Sequence, residues 1–352
     1  MTSEALAAAI DQFGDPRGYL AVASIGLPPQ RSVDAMMADL EAWAAADRDP
    51  QGYDPVIERT RASYARLVRV SVDQVAIGGA VSVMSSLVAE AVPPGAEVLV
   101  ADNDFSSVHF PFLQRQGEGG IRVRVVALDA LADEIRDDTH LVAFSLVQSA
   151  TGQVADVGAI REAAARVGAL TYCDVTQAAG VYPVDASLFD ITSCHAYKWL
   201  CSPRGVGFLT VSERGSRALR PLQAGWYAGD DVWKSTYGPE MHLATNARRF
   251  DVSPAWQAWV GAEHAIELFA GLDMREVWER TSGLGDALCE ALGIPLQHQP
   301  IVTWPDTSGQ DLRTLIAAGV RVSGRAGRLR ASFHLWNDES DVQAVTQALW
   351  GS

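Results

Sequence analysis

Short apolar runs alternate with amphipathic stretches through the middle of the chain. Between residues 75 and 211, strands are predicted at Glu97–Val100, Val123–Leu128, Leu141–Val147, Ala169–Cys173, Asp190–Cys194 and Val206–Val211, after a short apolar strand ending at Ile77-Gly78. Most of these runs are apolar at successive rather than alternate positions, the pattern of strands covered on both faces. Helices are predicted at Ser82–Ala91 and Val157–Val167. In the second, Ile160, Ala163, Ala164 and Val167 recur at i, i+3, i+4 and i+7, which gives one apolar stripe for a sheet. Strand–helix alternation predicts an α/β domain with a largely parallel sheet. Later the pattern changes: helices at Trp256–Ala270 and Met274–Leu292, a stretch of strands and turns, and a terminal helix from about Ser340. The expected division is a large domain over residues 15–250 and a small α+β domain from residues 1–14 and 251–352.

Composition narrows the class. A chain of 352 residues with 48% hydrophobic content can bury two cores. No apolar run is long enough to span a bilayer. The net charge of −15 argues against nucleic acid or an anionic membrane as the main partner, though not against a small anion held locally. The opening Met1-Thr2-Ser3-Glu4-Ala5-Leu6 lacks the basic and apolar regions of a secretory signal, so a cytoplasmic location is expected. Cys173, Cys194, Cys201 and Cys289 show no paired metal-ligand spacing. They read as reduced, buried thiols, and no metal site is expected.

Basic residues carry the chemical signal. The chain has 28 of them, and only Lys198 and Lys234 are lysines. A guanidinium stays protonated and forms no imine, so a lysine in an arginine-rich chain is a candidate for amine chemistry. Lys198 lies in Ser193-Cys194-His195-Ala196-Tyr197-Lys198-Trp199-Leu200, downstream of Asp174-Val175-Thr176-Gln177 at a strand end. Open α/β sheets bind ligands at such ends. A buried amine with a strand-end carboxylate suggests a Schiff-base enzyme using pyridoxal phosphate, the carboxylate keeping a pyridine nitrogen protonated and Gln177 meeting the ring's phenolic oxygen. A structural lysine and a turn-capping aspartate are the plainer readings. Ile77-Gly78-Gly79-Ala80-Val81-Ser82 joins a strand to a helix and suits a phosphate at the helix N-terminus, although Ser82 is equally a simple N-cap. Phe105, after the next strand, is either a cofactor-stacking ring or a core residue. His195 reads as a satisfied polar group or a phosphate contact.

These pieces together resemble the class V aminotransferase group of fold-type-I pyridoxal-phosphate enzymes, which includes kynureninases, carbon–sulfur lyases and cysteine desulfurases. The resemblance runs from Tyr19-Leu20-Ala21-Val22-Ala23-Ser24-Ile25-Gly26-Leu27-Pro28-Pro29 through Gln148-Ser149-Ala150-Thr151-Gly152, Asp174-x-x-Gln177 and Lys198-Trp199-Leu200-x-x-Pro203-Arg204-Gly205-Val206-Gly207 to Leu329-Arg330-Ala331-Ser332-Phe333-His334-Leu335-Trp336-Asn337. It implies that Lys198 forms the imine with the cofactor and that Asp174 pairs with the pyridinium. Gln177, with Ser149 or Gln148 nearby, would meet the phenolic oxygen. Ala80 and Val81 would donate backbone N–H groups to the phosphate with His195 beside it, Phe105 would stack on the ring, and Gly79, Ser82 and Tyr197 are further cofactor-binding candidates. Arg330 would take the substrate α-carboxylate, with Ser24 and Ile25 in the substrate-facing segment.

Tyr197 before the lysine, Phe105 and Gly225-Trp226-Tyr227 are similar to kynureninases. Gln177 in place of their usual His, and Ser253 near the position of their Asn, depart from them. The resemblance also implies a homodimer with shared sites, Trp226 and Ser253 reaching across. The expected reaction is cleavage at Cβ of a small amino acid, by a carbon–sulfur lyase or kynureninase-like hydrolase. The alternatives are an aminotransferase and a non-catalytic protein that kept the fold. Cysteine desulfurase chemistry is not expected: it needs a thiol on a mobile loop, Cys289 sits in a helical pattern, and Thr307 to Arg330 contains no cysteine.

Overall fold

The computed structural model describes residues 2–325 and 327–351. Seven strands form the large sheet: β1 (Val75–Gly78), β2 (Glu97–Ala101), β3 (Arg122–Val126), β4 (Thr139–Ser145), β5 (Leu170–Asp174), β6 (Ile191–His195) and β7 (Gly207–Val211). Their spatial order is β1-β7-β6-β5-β4-β2-β3. From β6 to β3 all pairs are parallel, whereas β7 runs antiparallel to both β6 and β1. Six strands therefore end at one edge. The chain is an α/β protein with a mostly parallel sheet, as the alternation predicted.

Successive residues of one strand enter different cores. Leu99 and Ala101 of β2 belong to one apolar cluster, and Val98 and Val100 to the cluster on the other face. This is why the strands read as continuous apolar runs. The helix Val157–Val167 has the expected bounds, buries Ile160, Ala163 and Ala164, and stops at Gly168 with φ +74°. Such a left-handed stop suits glycine.

A second, antiparallel sheet has the order β8-β10-β9, from β8 (Ile301–Pro305), β9 (Ser323–Arg325) and β10 (Arg328–Ser332). The helices Met274–Leu292 and Glu339–Trp350 and the buried Leu20 complete its core. Two features differ from the sequence-based division. The helix Trp256–Ala270 packs on Gln30–Ala44 and Asp54–Leu67, with Trp259, Ile266 and Phe269 fully buried in the core of the large sheet. Leu20, expected with the large domain, sits in the small sheet's core. Tertiary partners decide both placements, and an amphipathic pattern does not name its partner. Among the described residues no helix is long and apolar enough to cross a membrane.

Candidate active site

Loops from the carboxyl edge of the large sheet converge on a cavity whose lining includes Val81, Phe105, Ser149, Asp174, Thr176, Gln177, His195, Tyr197 and Lys198. Asp174 ends β5 and is buried. Its Oδ1 accepts the Thr176 N–H at 2.9 Å and the Thr176 hydroxyl at 2.5 Å, and no donor among the described residues meets Oδ2. Burial pushes the carboxyl pKa up to about 6, against the lowering effect of those two bonds and of Lys198. A carboxylate so placed is ready for an N–H partner. Thr176, which sequence reasoning passed over, also accepts the backbone N–H of His195 at 3.0 Å, tying the β5 and β6 loops together.

Lys198 follows β6 and is buried. Its Nζ lies 5.0 Å from the Phe105 ring centroid and 5.7 Å from that of Tyr197. Burial lowers its pKa to about 8, with Arg330 adding to the fall and Asp174 opposing it. A neutral amine is therefore within reach near physiological pH, as imine chemistry requires. Lys234 is the opposite case: exposed and paired with Asp231 at 2.8 Å.

At the β1 end of the cavity, open donors gather around Val81. The helix Val81–Ala91 has Ala80 as N-cap in extended conformation with no side-chain cap, so the Val81 and Ser82 N–H groups donate to nothing among the described residues. The Ser82 side chain is exposed and caps nothing, and Gly79 is exposed beside it. His195 packs edge-on against Tyr197 at 4.4 Å, and its buried Nε2 has no hydrogen-bond partner among the described residues. Burial, then Arg204 and Lys198, lowers its pKa to about 4. An orphaned ring nitrogen beside open helix N–H groups fits a phosphate. The donor set, the stacking ring and the unpaired carboxylate all fit pyridoxal phosphate.

The facing wall comes from the small sheet. Arg330 of β10 is 1% exposed. Its Nε donates to Ser323 Oγ at 3.1 Å, Nη1 to Ser149 Oγ at 3.0 Å and to the Ser149 carbonyl, and Nη2 to Ser24 Oγ at 2.9 Å. None of these partners is charged. Burial, then Arg325, lowers its pKa to about 10. A buried guanidinium with only neutral partners suits an incoming carboxylate.

Gln177 is held differently from expectation. Its Nε2 donates to the Ala23 carbonyl and to Ser149 Oγ, both at 3.0 Å, while Oε1 accepts the Trp199 indole at 2.6 Å. Both N–H groups are thus used within the protein. Ser149 accepts from Gln177 and from Arg330, so its own proton is left to donate into the cavity. Gln148 turns away, to the Asp102 carbonyl at 2.8 Å.

The segment carrying Ser24 lies against the lysine loop. The Gly26 N–H donates to the Tyr197 carbonyl at 2.8 Å, and a Cβ at Gly26 would collide with the Lys198 carbonyl oxygen. Ile25 is exposed. Trp226 packs edge-on against Tyr227 and Trp233 and, like the exposed Ser253, lies outside this chain's own cavity. All four cysteines are buried, Cys289 within the small sheet's core.

Comparison with known proteins agrees with this geometry. The family model described as Aminotransferase class-V matches residues 56–306. The chain is 27% identical over 310 residues to isopenicillin N epimerase of Amycolatopsis lactamdurans, covering 78% of each chain. It is 27% identical over 366 residues to kynureninase of Salinispora tropica, covering 93% of this chain and 84% of that one. It is 32% identical over 298 residues to a probable cysteine desulfurase of Aeropyrum pernix, covering 72% of each. A solved complex of the cystine C–S lyase C-DES with its product cysteine persulfide superposes with a TM-score of 0.85 at 20% identity, covering 95% of this chain and 97% of that one. The chain belongs to the class V aminotransferase family and is a pyridoxal-phosphate enzyme of fold type I.

Proposed function

We propose that the enzyme binds a small α-amino acid by its carboxylate on Arg330 and cleaves a bond at Cβ, expelling the leaving group directly. The observation that carries this reading is Arg330, buried opposite Lys198 with four polar contacts and no counter-charge among the described residues. When bound, the cofactor supplies an electron sink for the carbanion at the substrate Cα.

The residues then divide the work. Lys198 Nζ would hold the cofactor through its aldehyde carbon and, freed by the incoming substrate amine, would take the Cα proton. Asp174 Oδ2 would accept the pyridine N–H, with Thr176 orienting that carboxylate. The Val81 and Ser82 N–H groups and His195 would hold the phosphate, and Phe105 would cover one face of the ring. As the proton leaves Cα, the Cβ–leaving-group bond breaks with its electron pair on the leaving group, and a Cα–Cβ double bond forms. Return of the Lys198 amine to the cofactor's aldehyde carbon would displace the unsaturated amine, which water then converts to a 2-keto acid and ammonia.

Direct expulsion needs no protein thiol, and the burial of all four cysteines supports it over sulfur transfer to a cysteine. The position of Trp226 and Ser253 outside their own chain's cavity supports a homodimer in which the partner copy supplies them. Sedimentation of the active species tests that part.

The reaction is tested with the purified holoenzyme and S-methylcysteine. Elimination releases pyruvate, ammonia and methanethiol in equal amounts. Keto-acid formation that requires an added amino acceptor would instead indicate transamination. Exchange or inversion at Cα without a thiol product would indicate an epimerase.

A further inference from the structure

We propose that Arg325 is a second anion-recognition residue, and that the substrate carries a carboxylate at the far end of its side chain. This rests on reading Arg330 as the α-carboxylate site. Arg325 ends β9 and faces Arg328 across the hairpin. Its Nη2 reaches back to Ser24 Oγ at 3.3 Å, the same oxygen that accepts Arg330 Nη2 at 2.9 Å. Two guanidinium groups therefore flank one neutral hydroxyl. Arg325's other hydrogen bond goes to the Gly324 carbonyl at 2.8 Å, and it forms no ion pair among the described residues. Like charges held this close without an acid between them are costly unless a ligand supplies one.

Counting charges shows what remains. Lys198 is acted on by one carboxylate, Asp174, and by two guanidinium groups, Arg330 and Arg325. The cofactor phosphate would be held at the other end, by His195, on the side influenced by Arg204. An α-carboxylate offsets Arg330 and leaves Arg325 at the rim without a partner.

Donor counting separates the two roles. Four of Arg330's five N–H groups are engaged, with Ser323, twice with Ser149, and with Ser24. Arg330 is fixed in the wall and meets the α-carboxylate with its last N–H and the protons of Ser24 and Ser149. Arg325 is exposed and held to the wall by one long bond. It can pivot toward a group beyond the reacting carbons. Ile25, 53% exposed next to Ser24, offers an apolar rest for the methylenes between the two acids.

The test compares wild-type holoenzyme with Arg325→Leu and Arg325→Lys. Calorimetry uses glutarate and butyrate, which carry two carboxylates and one, and lack the amine needed for turnover. Wild type should bind glutarate at least tenfold more tightly than butyrate. Arg325→Leu should abolish that preference, and Arg325→Lys should restore part of it. In turnover, the ratio of kcat/KM for S-carboxymethylcysteine over S-methylcysteine should fall about tenfold in Arg325→Leu. Equal binding of both acids by wild type would overturn the proposal. So would an equal loss for both acids in Arg325→Leu, which would put Arg325 on the α-carboxylate. If neither cysteine derivative is cleaved, the elimination reading fails, while calorimetry still decides the role of Arg325.

Discussion

Replacing Lys198 with methionine should make the cofactor-free protein more stable at neutral pH. The lysine is 5% exposed and forms no ion pair among the described residues. Burial takes its pKa from 10.5 to about 8. The difference, 10.5 − 8, is 2.5 pH units, and at about 1.4 kcal/mol per unit it amounts to roughly 3 kcal/mol. The folded pKa lies below the unfolded one, so between pH 8 and 10.5 the unfolded chain binds more protons. The lysine's penalty is therefore complete below pH 8, shrinks as pH rises through that window, and is gone above 10.5. Methionine is similar in length and carries no charge, so it escapes the penalty. Packing differences for such a swap stay below about 1.5 kcal/mol. Urea unfolding of both apoproteins should show the variant ahead by about 3 kcal/mol at pH 7 and level with wild type near pH 11. Equal midpoints at pH 7, or an offset that does not change with pH, would refute the reasoning.

Cofactor uptake by the apoprotein requires the neutral amine, so its rate should rise with pH to a plateau with a midpoint near 8; a midpoint near 10.5 would mean an ordinary lysine. The buried pair Arg61–Asp251, at 2.7 Å, also receives the Ile77 N–H on Asp251 at 2.8 Å and so fixes the strand leading to the phosphate loop. Arg61→Met should cost about 3–5 kcal/mol in denaturant unfolding by leaving Asp251 alone, and a loss under 1 kcal/mol would contradict that role. Gly26→Ala, whose Cβ would press on the Lys198 carbonyl, should weaken cofactor retention in dialysis more than it lowers stability. Cys289→Ala should keep the wild-type rate, and native protein should react with a thiol reagent only as it unfolds; a persulfide trapped on Cys289 would overturn the direct-expulsion mechanism.

Where chemistry follows the backbone closely, the sequence was informative. Strand ends carry the reactive groups, so the runs ending near Gly78, Cys173 and Cys194 pointed to Val81, Asp174 and Lys198. The reversed direction of β7 was not legible, because parallel and antiparallel buried strands share the same apolar pattern. Nor were the helices Gln30–Ala44 and Asp54–Leu67, whose polar buried residues, Asp39 and Arg61 among them, hide the core-facing stripe. At the site, Gln177 has the right spacing, but its hydrogen bonds go to Ala23, Ser149 and Trp199. Partners up to 154 positions away are invisible to spacing. Arg325 escaped for the same reason: it gains its meaning from Ser24, 301 positions away.

The segment around Leu20 has a consequence for how the protein acquires its reactivity. Leu20 donates to the Arg321 carbonyl at 2.8 Å and accepts from Ser332 at 2.9 Å, and Ala23 then meets both Ser332 and Gln177. Residues made early in synthesis are thus stitched between strands made near its end. A nascent chain that has reached Ala270 already has the amine, the carboxylate, the phosphate loop, and the strand β7 and helix that hold them together, yet it lacks the wall that orients a substrate. Closing loops of some 300 residues is slow compared with local pairing. The chain can therefore capture its cofactor before it can select a substrate, and unselective amine chemistry is confined to the interval before residues 321–332 dock.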